Sequence, residues 1–555
     1  MSTSEANTPV DAGADSTGGP FTLESDIARR HRSPACWGVV TVLILLVVVG
    51  LGFRVSRLAA IGFAEDEVNK VEAVEAYRRG DITVNAEHPM LMKTLMFISV
   101  TRAGMGGSGP DMPSDEFAFR LPNAVVGALT GIPLFLLTAA FFDRWTGLLA
   151  AGMWSVGVNA ITFNRIGKED TLLVFFMLFA FYFYLRAKQT SPRDQKTRSR
   201  HYLLSGVSFG FMLASKYFPH YFGLNSLYHH LFHVRKKEPG DPPGKTHRVF
   251  YIALLFAFLV ANPPVLLPQV WNYLNAYMGE KLLVHSGYLF ADHLYNNLVS
   301  RTPFGTPVYF YLVFMAIKIP LLVIGSFLIG LIVSFKRRLH PGHAFVLFMF
   351  LLWIIPYSLM GAKWLRYTLS LMPFVYMLAA IGVVELIRFV NRRLKVSTRG
   401  RAVVAAVLAT TFLGLPTWTA HSAGPHFALY TNALGKNHIG YFFPHDEFYD
   451  DRLREAIKFV CDQAPKSAII AHETPAVTRY YLRAFRREDL NSKAISEPEV
   501  DVANLSGPAY IIVQRGRTYF ENRDKISFVR AHFRKVHEER VNGLTAAEVF
   551  INEAP

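Results

Sequence analysis

The chain alternates between long apolar runs and short polar loops. A membrane-spanning helix needs about 20 mainly apolar residues, and eleven segments meet or approach that length. They are 36–53, 119–141, 146–163, 169–186, 201–214, 217–233, 249–269, 307–334, 343–360, 367–387 and 402–418. This pattern predicts a mainly α, polytopic membrane protein with about 11 transmembrane helices.

The loops between these runs differ in charge from one side to the other. Lys and Arg concentrate in 29–32, 186–200, 235–248, 336–338 and 388–401. Because basic loops of membrane proteins face the cytoplasm, the N-terminus is predicted inside. The opposite loops and everything after residue 418 are then outside, in an inner or plasma membrane.

Composition narrows the class of protein further. The 555 residues are 51% hydrophobic and carry a net charge of +16. From His421 onward the basic and acidic side chains both number 18, so the excess lies in the membrane part. The preference of basic loops for the cytoplasmic side explains this excess of positive charge, and no nucleic-acid partner is expected. Cys36 and Cys461 are predicted on opposite sides of the membrane, which excludes a disulfide between them.

Three regions are predicted. Residues 1–28 lack apolar periodicity and read as a disordered cytoplasmic tail, and 29–418 form the transmembrane domain with a first outer loop at 54–118. Residues 419–555 read as a small extracytoplasmic α/β domain. Its strands are expected at "SAIIAHE", "AYIIVQRG" and "AAEVFIN", and its helices near 451–462 and 475–485.

Candidate chemistry begins in the first outer loop, "FAEDEVNKVEAVEAYRRGDITVNAEHPMLMK". Its apolar residues recur at helical spacing opposite the charges, which predicts an amphipathic helix lying at the membrane surface. Asp66, Glu67 and Glu87 are candidate bases for a hydroxyl acceptor. On spacing alone, the first two are equally well explained as helix caps, and Glu87 as part of an ordinary loop-to-helix junction.

Isolated cations occupy the outer mouths of later helices. "NRIGKEDTLLVFF" contains Arg165, and "MLASKYFPHYF" and "GAKWLRYTLSLMPF" contain Lys216 and Arg366. Charges so close to hydrocarbon are costly and commonly functional, and an anionic lipid phosphate requires cations. Local ion pairs and snorkelling to the headgroups remain the structural alternatives.

These motifs, in this order, resemble those of a known family. "DEVNKVEAVEAYRRGD…EHPMLMK", "RIGKEDTLLVFF", "ASKYF" and "LRYTLSLMPF" are similar to segments of the dolichyl-phosphate-mannose–protein mannosyltransferase superfamily and of its bacterial relatives that add aminoarabinose to lipid A. The resemblance covers roughly residues 36–390, and Met90 departs from the family's second proline. "ALYTNALGKNHIGYFFPHDEFYDDRLREAI" looks like the segment with which many bacterial members leave the membrane.

The resemblance implies a C-type glycosyltransferase (GT-C) fold. It also implies transfer of one sugar from a polyprenyl-phosphate donor to an extracytoplasmic protein, lipid or glycan, with inversion. Carried over by position, the roles are as follows: Asp66, Glu67 and Glu87 catalytic; Lys93, Arg165, Lys216 and Arg366 binding the donor phosphate; His88 and Asp170 shaping the site. No tightly bound cofactor is expected, and a divalent cation at Asp66 and Glu87 stays open.

Two other classes of function compete with this one. A transporter or flippase for a lipid-linked or anionic solute would share the basic outer mouths, but would place charges at membrane depth. A non-catalytic assembly factor would bind through the α/β domain. The sequence identifies neither the sugar nor the acceptor.

Overall fold

The structure is a computed structural model. It describes residues 34–103, 115–232, 234, 246–279, 286–301, 303–395, 397–505 and 507–552. The predicted tail at 1–28 lies outside these ranges.

Every predicted apolar segment contains one or two helices, because each is rich in good helix formers and in lipid-compatible side chains. The helices of the bundle are α1 (Pro34–Val55), α4 (Asp115–Leu129), α5 (Gly131–Phe141), α6 (Arg144–Val156), α7 (Val158–Asn164), α8 (Asp170–Gln189), α9 (Gln195–Ser215), α10 (His220–Leu231), α11 (Arg248–Ala261), α12 (Pro268–Met278), α13 (Phe310–Lys318), α14 (Leu321–Lys336), α15 (Pro341–Leu359), α16 (Met372–Leu394) and α17 (Thr398–Ala423). Helices α2 (Glu65–Arg78) and α3 (Met90–Ala103) come from the first outer loop.

By length and composition, six helical stretches in the described part of the chain can cross a membrane. They are Trp37–Val55, Asp115–Phe141, Asp170–Gln189, Pro341–Leu359, Met372–Leu394 and Thr398–Ala423. The α6–α7 pair, bent by 57°, makes a seventh if it counts as one span. The protein is an integral membrane protein, and the predicted total of about 11 spans is not confirmed.

The loops of the bundle gather at two ends. At one end, loops predicted outside contact one another: Arg165 donates to carbonyls of residues 53–57, and Lys216 to Asp170. At the other end, loops predicted inside meet, as in the hydrogen bond from Tyr228 Oη to the Pro341 carbonyl. Loops that alternate along the chain therefore lie at opposite ends of the bundle. Which end faces the cytoplasm stays a prediction.

Small residues allow close helix contacts in the bundle. A Cβ atom at Gly330 of α14 would lie 1.8 Å from the Leu378 carbonyl oxygen of α16, and one at Gly382 would lie 1.8 Å from the Ser326 carbonyl oxygen. Close backbone approach of this kind is how helices associate where lipid removes the hydrophobic driving force.

The C-terminal part forms a five-stranded sheet in the order β4-β3-β5-β7-β6. The strands are β3 (Ile469–His472), β4 (Asn491–Ala494), β5 (Ala509–Gln514), β6 (Arg534–Val541) and β7 (Leu544–Asn552). β3 pairs in parallel with β4 and β5, whereas β7 pairs antiparallel with β5 and β6. The strands within the three quoted motifs and the helices α19 (Leu453–Gln463) and α20 (Pro475–Ala484) agree with the sequence-based expectation. The remaining elements are a hairpin of β1 (Tyr288–Phe290) and β2 (His293–Tyr295), α18 (Pro444–Phe448) and α21 (Arg523–His532).

The apolar face of α2 packs against this C-terminal unit. Val68, Val71 and Val74 share one buried cluster with residues of α19, α20 and the sheet, among them Ile457 and Tyr481. The expectation that α2 lies on the membrane surface is therefore wrong, since its apolar face contacts protein.

Candidate active site

Asp66, in the first turn of α2, lies at the centre of a charged cluster. Its Oδ2 is 2.6 Å from Lys168 Nζ and 2.8 Å from an Arg366 guanidinium nitrogen, and it accepts a hydrogen bond of 2.6 Å from Tyr449 Oη. The side chain is 27% exposed. Burial alone would raise the pKa of Asp66, but the Lys168, Arg366 and Lys70 cations together lower it well below its usual value.

Glu67, the next residue, faces the protein interior. Arg120 binds both of its oxygens, at 2.8 and 2.6 Å. The backbone N–H groups of Gly167 and Ala64 also donate to it, and the bond from Ala64 satisfies the backbone N–H of the N-cap residue of α2. Only 2% of the side chain is exposed. Its oxygens bind groups that hold α2 in place, and the expected catalytic role of Glu67 stays a prediction.

Glu87, Lys93 and His88 lie in and after the turn that follows α2. Lys93, 1% exposed, donates to the carbonyls of Asn85 and His88, and Asn85 donates to Glu87. Burial raises the pKa of Glu87 and lowers that of Lys93 to about 7. Lys93 therefore holds the loop together, and its assignment to the donor phosphate stays a prediction.

His88 faces Glu169, which the sequence leaves open as the alternative to Asp170 in the family's motif. His88 Nδ1 lies 3.9 Å from Glu169 Oε1, and burial lowers the pKa of the imidazole to about 3, so it is neutral. Lys70 Nζ lies 3.0 Å from the same carboxylate oxygen and donates to the Asp66 carbonyl. The Lys70–Glu169 pair thus fixes the helical turn that carries Asp66.

Lys216 has a protein partner. Its ammonium lies 2.7 Å from Asp170 Oδ1 and 5.0 Å from the ring centroid of Tyr367. The expectation that it meets a phosphate and no carboxylate is wrong in this arrangement. The pair nevertheless lies next to the cluster, because Asp170 borders the same pocket as Lys168 and Arg366.

Arg165 caps the end of α1. Its guanidinium donates to the carbonyls of Phe53, Arg54, Ser56 and Arg57 at 2.7–3.0 Å. These include carbonyls that a helix C-terminus leaves without intrahelical partners. Binding of the donor phosphate by Arg165 stays a prediction, as for Lys93, and in this structure its guanidinium is engaged by backbone carbonyls.

Residues of the C-terminal unit contact the first turn of α2. Arg517 Nε donates to Asp450 Oδ1 at 2.8 Å, and the same guanidinium lies 2.7 Å from Glu65 Oε2. Asp450 Oδ2 accepts from the backbone N–H of Glu65. Together with the bond from Tyr449 to Asp66, these contacts tie the first turn of α2 to residues 383 to 452 positions later in the chain.

A pocket of about 340 Å³ opens beside this cluster, bordered by Lys168, Asp170, Arg366, Asp446 and Tyr449. Asp446 accepts a short hydrogen bond from Tyr288 Oη. Burial raises the pKa of Asp446 to about 6. The pocket is thus lined by two cations and two carboxyl groups other than Asp66.

The residues present do not fit a metal ion. In the ranges that the structure describes, no group of three or more His, Cys, Asp or Glu side chains lies close enough to hold one. Asp66, one of the two carboxylates considered for a cation, is contacted by two positively charged groups that would repel it.

Five residues of the site were not assigned to it from the sequence. Lys168 and Glu169 were visible as charges at a helix mouth, and Asp446 and Tyr449 lie in the quoted "FFPHDEFYDD" segment. Lys70 looked like an ordinary charge on an amphipathic helix. Only the fold brings these residues to Asp66.

The fold is that of a mainly helical membrane protein and is GT-C-like. A crystal structure of ArnT from Cupriavidus metallidurans in the apo state aligns over 94% of this chain and 98% of that chain, with a TM-score of 0.53 at 15% identity. A structure of the same protein bound to undecaprenyl phosphate aligns over 94% and 99%, with 0.50 at 13%. The apo oligosaccharyltransferase of Archaeoglobus fulgidus aligns over 86% and 69%, with 0.51 at 11%. Identities this low show a shared fold.

A family model adds evidence from the sequence itself. Residues 112–267 match the model described as dolichyl-phosphate-mannose-protein mannosyltransferase. This match confirms the resemblance for that segment, which runs from α4 to the turn before α12. A search of curated proteins finds no significant match.

Proposed function

We propose that the protein is a membrane glycosyltransferase that moves a single sugar from a polyprenyl-phosphate donor to a hydroxyl group of an extracytoplasmic protein, lipid or glycan. The observation that carries the proposal is the Asp66 carboxylate, which is held by Lys168 and Arg366, two cations that line a pocket. A carboxylate suits proton abstraction, and two adjacent cations suit a phosphate leaving group.

The comparisons support this choice of donor. The shared fold extends to a structure of ArnT that is bound to undecaprenyl phosphate, and the matching family model is named for a dolichyl-phosphate-mannose donor. The ligand of that ArnT structure is a polyprenyl phosphate, and the family description names a sugar linked to such a phosphate. By analogy, the phosphate of the donor lies at Lys168 and Arg366, with the Lys216–Asp170 pair on the wall of the pocket.

The proposed reaction is a single displacement. Asp66 takes the proton of the acceptor hydroxyl while the acceptor oxygen forms a bond to the anomeric carbon. The bond from that carbon to the phosphate oxygen breaks, and its electron pair leaves with the lipid phosphate. The anomeric configuration is inverted.

Lys168 and Arg366 affect both proton abstraction by Asp66 and departure of the lipid phosphate. In the free protein, Lys168 and Arg366 keep the pKa of Asp66 low, which makes it a weak base. As negative charge grows on the departing phosphate, the cations are drawn to it. The pKa of Asp66 then rises, so the carboxylate becomes more basic at the stage when it must accept a proton.

The test is an incubation of the purified protein with radiolabelled polyprenyl-phosphate sugars and with lipid, glycan and peptide acceptors. Label is expected to appear in one acceptor class, with the anomeric configuration inverted. Movement of the labelled lipid across a vesicle membrane without any transfer would contradict the proposal and favour the flippase.

A further inference from the structure

A second cavity, of about 410 Å³, opens at the end of the bundle that carries the basic loops. It lies between the turn from α5 to α6, the turn from α14 to α15, and the last two turns of α16. We call it the basic cavity, and its lining includes Phe142, Asp143, Lys336, Arg337, Leu339 and Arg388. Its volume is within the ~300–1,000 Å³ usual for small-molecule pockets, so there is room for a ligand.

The basic cavity is far from the candidate active site. Arg366, which contacts Asp66, precedes α16, whereas Arg388 lies near the other end of that helix. From Met372 to Arg388 the helix rises by roughly 25 Å. A ligand of the basic cavity therefore does not touch the Asp66 cluster.

Arginines from two elements converge beside the basic cavity. Arg337, which follows α14, and Arg388 of α16 each lie 3.3 Å from the same oxygen of Glu385. Arg392 lies 3.1 Å from the other oxygen, so three guanidinium groups share one carboxylate. Lys336, also in the lining, makes no ion pair with the residues that the structure describes. The preference of basic loops for one side of a membrane explains the number of these cations but not their convergence beside a cavity.

The acid in the lining does not balance these charges. Asp143 is the N-cap of α6, and its oxygens accept hydrogen bonds from the backbone N–H groups of Trp145 and Thr146 and from the Thr146 hydroxyl. Even with Asp143 and Glu385 both counted, four cations face two carboxylates. The N-terminus of α15 also meets the cavity, at His340, and its dipole adds positive potential. The basic cavity is therefore suited to an anion.

An apolar stripe on α14 leads to the basic cavity along the outside of the bundle. Leu328, Ile332 and Phe335 are exposed and recur at helical spacing, so they lie on one face of the helix. Leu339, which is 93% exposed, follows them and lines the cavity. A soluble anion has no use for such a stripe, whereas the acyl chains of a lipid lie along it when the headgroup is in the cavity.

We propose that the basic cavity binds the phosphate headgroup of an anionic phospholipid from the leaflet at this end of the bundle. Lys336, Arg337 and Arg388 contact the phosphate through charge-assisted hydrogen bonds, and the acyl chains pack on the stripe of α14. Basic pockets between membrane helices are suited to such headgroups. The inference does not depend on the proposed function, because the basic cavity and the Asp66 cluster lie at opposite ends of the bundle.

The experiment measures thermal stabilisation of the full chain in a neutral detergent, after repeated detergent exchange has removed co-purified lipid. Three probes are compared over the same concentrations: phosphatidylglycerol, phosphatidylcholine and glycerol 1-phosphate. Phosphatidylglycerol is expected to raise the Tm as its concentration increases. Phosphatidylcholine, which has no net charge, and glycerol 1-phosphate, which has no acyl chains, are expected to leave the Tm unchanged.

A double variant, Lys336→Gln with Arg388→Gln, removes two cations of the lining. Its apparent Kd for phosphatidylglycerol should rise about 30-fold, because two charge contacts with a lipid phosphate are lost. Both side chains are exposed, and Arg337 still pairs with Glu385 in the variant. The variant is therefore expected to fold, with the Tm of wild type when no lipid is added.

The matched control is Arg338→Gln with Arg393→Gln. Both arginines are exposed and lie in the same two segments of the chain as Lys336 and Arg388, but outside the lining. The control loses the same amount of charge, so it measures general attraction between basic loops and an anionic lipid. Its apparent Kd for phosphatidylglycerol should equal that of wild type.

Each other outcome would overturn the inference. Equal loss of affinity in the two double variants would mean that the basic cavity is not the site. Equal stabilisation by glycerol 1-phosphate would replace the lipid with a soluble phosphate, and equal stabilisation by phosphatidylcholine would remove the need for an anion. Absence of stabilisation by phosphatidylglycerol would leave the cavity without this ligand. Sugar transfer is not measured, so failure of the proposed function would change none of these results.

Discussion

At the residue scale, Asp66 and Glu67 show how two adjacent carboxylates acquire different roles. Asp66 is partly exposed and shares one oxygen among Lys168, Arg366 and Tyr449. Glu67 is buried and binds Arg120 through two parallel hydrogen bonds. A ligand can displace the groups that contact Asp66, whereas the paired hydrogen bonds between Glu67 and Arg120 hold the structure in place.

Asp66→Asn is expected to lower turnover by ~10²-fold or more, because the amide cannot accept the hydroxyl proton. Folding and binding of the lipid donor should persist. Single-turnover transfer measures the effect, and Asp81→Asn, an exposed acid in the same loop, should behave like wild type. Equal turnover in Asp66→Asn and wild type would remove Asp66 from the mechanism.

Glu67→Gln is expected to act on stability. It leaves the Arg120 guanidinium buried without its carboxylate, a change that costs about 3–5 kcal/mol in comparable pairs. Thermal unfolding should show a marked decrease in Tm, and Glu72→Gln on the exposed side of α2 should show none. A variant with normal Tm but lost turnover would support the direct catalytic role that the sequence suggested.

Asp446 is expected to make stability depend on pH. Tyr288 Oη, the backbone N–H of Leu365 and the Arg366 cation favour its charged form, but burial outweighs them and raises its pKa from 3.8 to about 6. A raised carboxyl pKa contributes stability that is complete below pH ~4 and is lost as pH rises through ~6.

Asp446→Asn removes this titration. The free energy of unfolding of the variant, relative to wild type, should therefore increase between pH 5 and pH 8 by an amount on the order of 1–3 kcal/mol. Thermal unfolding at several pH values checks it, and a difference that does not vary with pH would contradict it.

At the scale of elements, the local sequence pattern predicted helices and strands, but it did not predict which residues of different elements contact one another. Apolar runs predicted each bundle helix, and β-branched runs predicted β3, β5 and β7, because both signals are local. Asp66 meets Arg366 and Tyr449 across 300 and 383 residues. No periodicity encodes contacts at that separation, so Lys216 was assigned to a phosphate when its neighbour in space is Asp170.

Gly330→Val is expected to disrupt the contact between α14 and α16. The new Cβ would lie 1.8 Å from a backbone carbonyl, which cannot move aside as a side chain can. Overpacking of this type costs about 1–3 kcal/mol or more. Gly325→Val, on the same helix with nothing within 4 Å of the added Cβ, is the control. Equal Tm values for the two variants would mean that this contact does not stabilise the bundle.

At the scale of the whole molecule, the two ends of the bundle differ in what they carry. One end carries the cluster around Asp66 and the C-terminal sheet, and the other carries the basic loops. This separation makes the predicted orientation testable with one pair of probes.

Single cysteines at Lys196 and Glu499, both exposed, report on opposite ends. In a background without Cys36 and Cys461, a membrane-impermeant thiol reagent added outside should label Glu499→Cys and leave Lys196→Cys unlabelled until the membrane is opened. The reverse pattern would invert the orientation and place the active site in the cytoplasm.

The shared core of α2 and the C-terminal sheet also determines when activity can arise during synthesis. Asp66 is made early, but Tyr449 and Arg517, which hold it and its helix, are among the last fifth of the chain to be made. Until those residues arrive, the apolar face of α2 lacks the C-terminal part of its core, and Asp66 lacks the hydrogen bond from Tyr449. Under the proposed function, a chain truncated before Tyr449 is therefore expected to show no sugar transfer even if its membrane helices assemble.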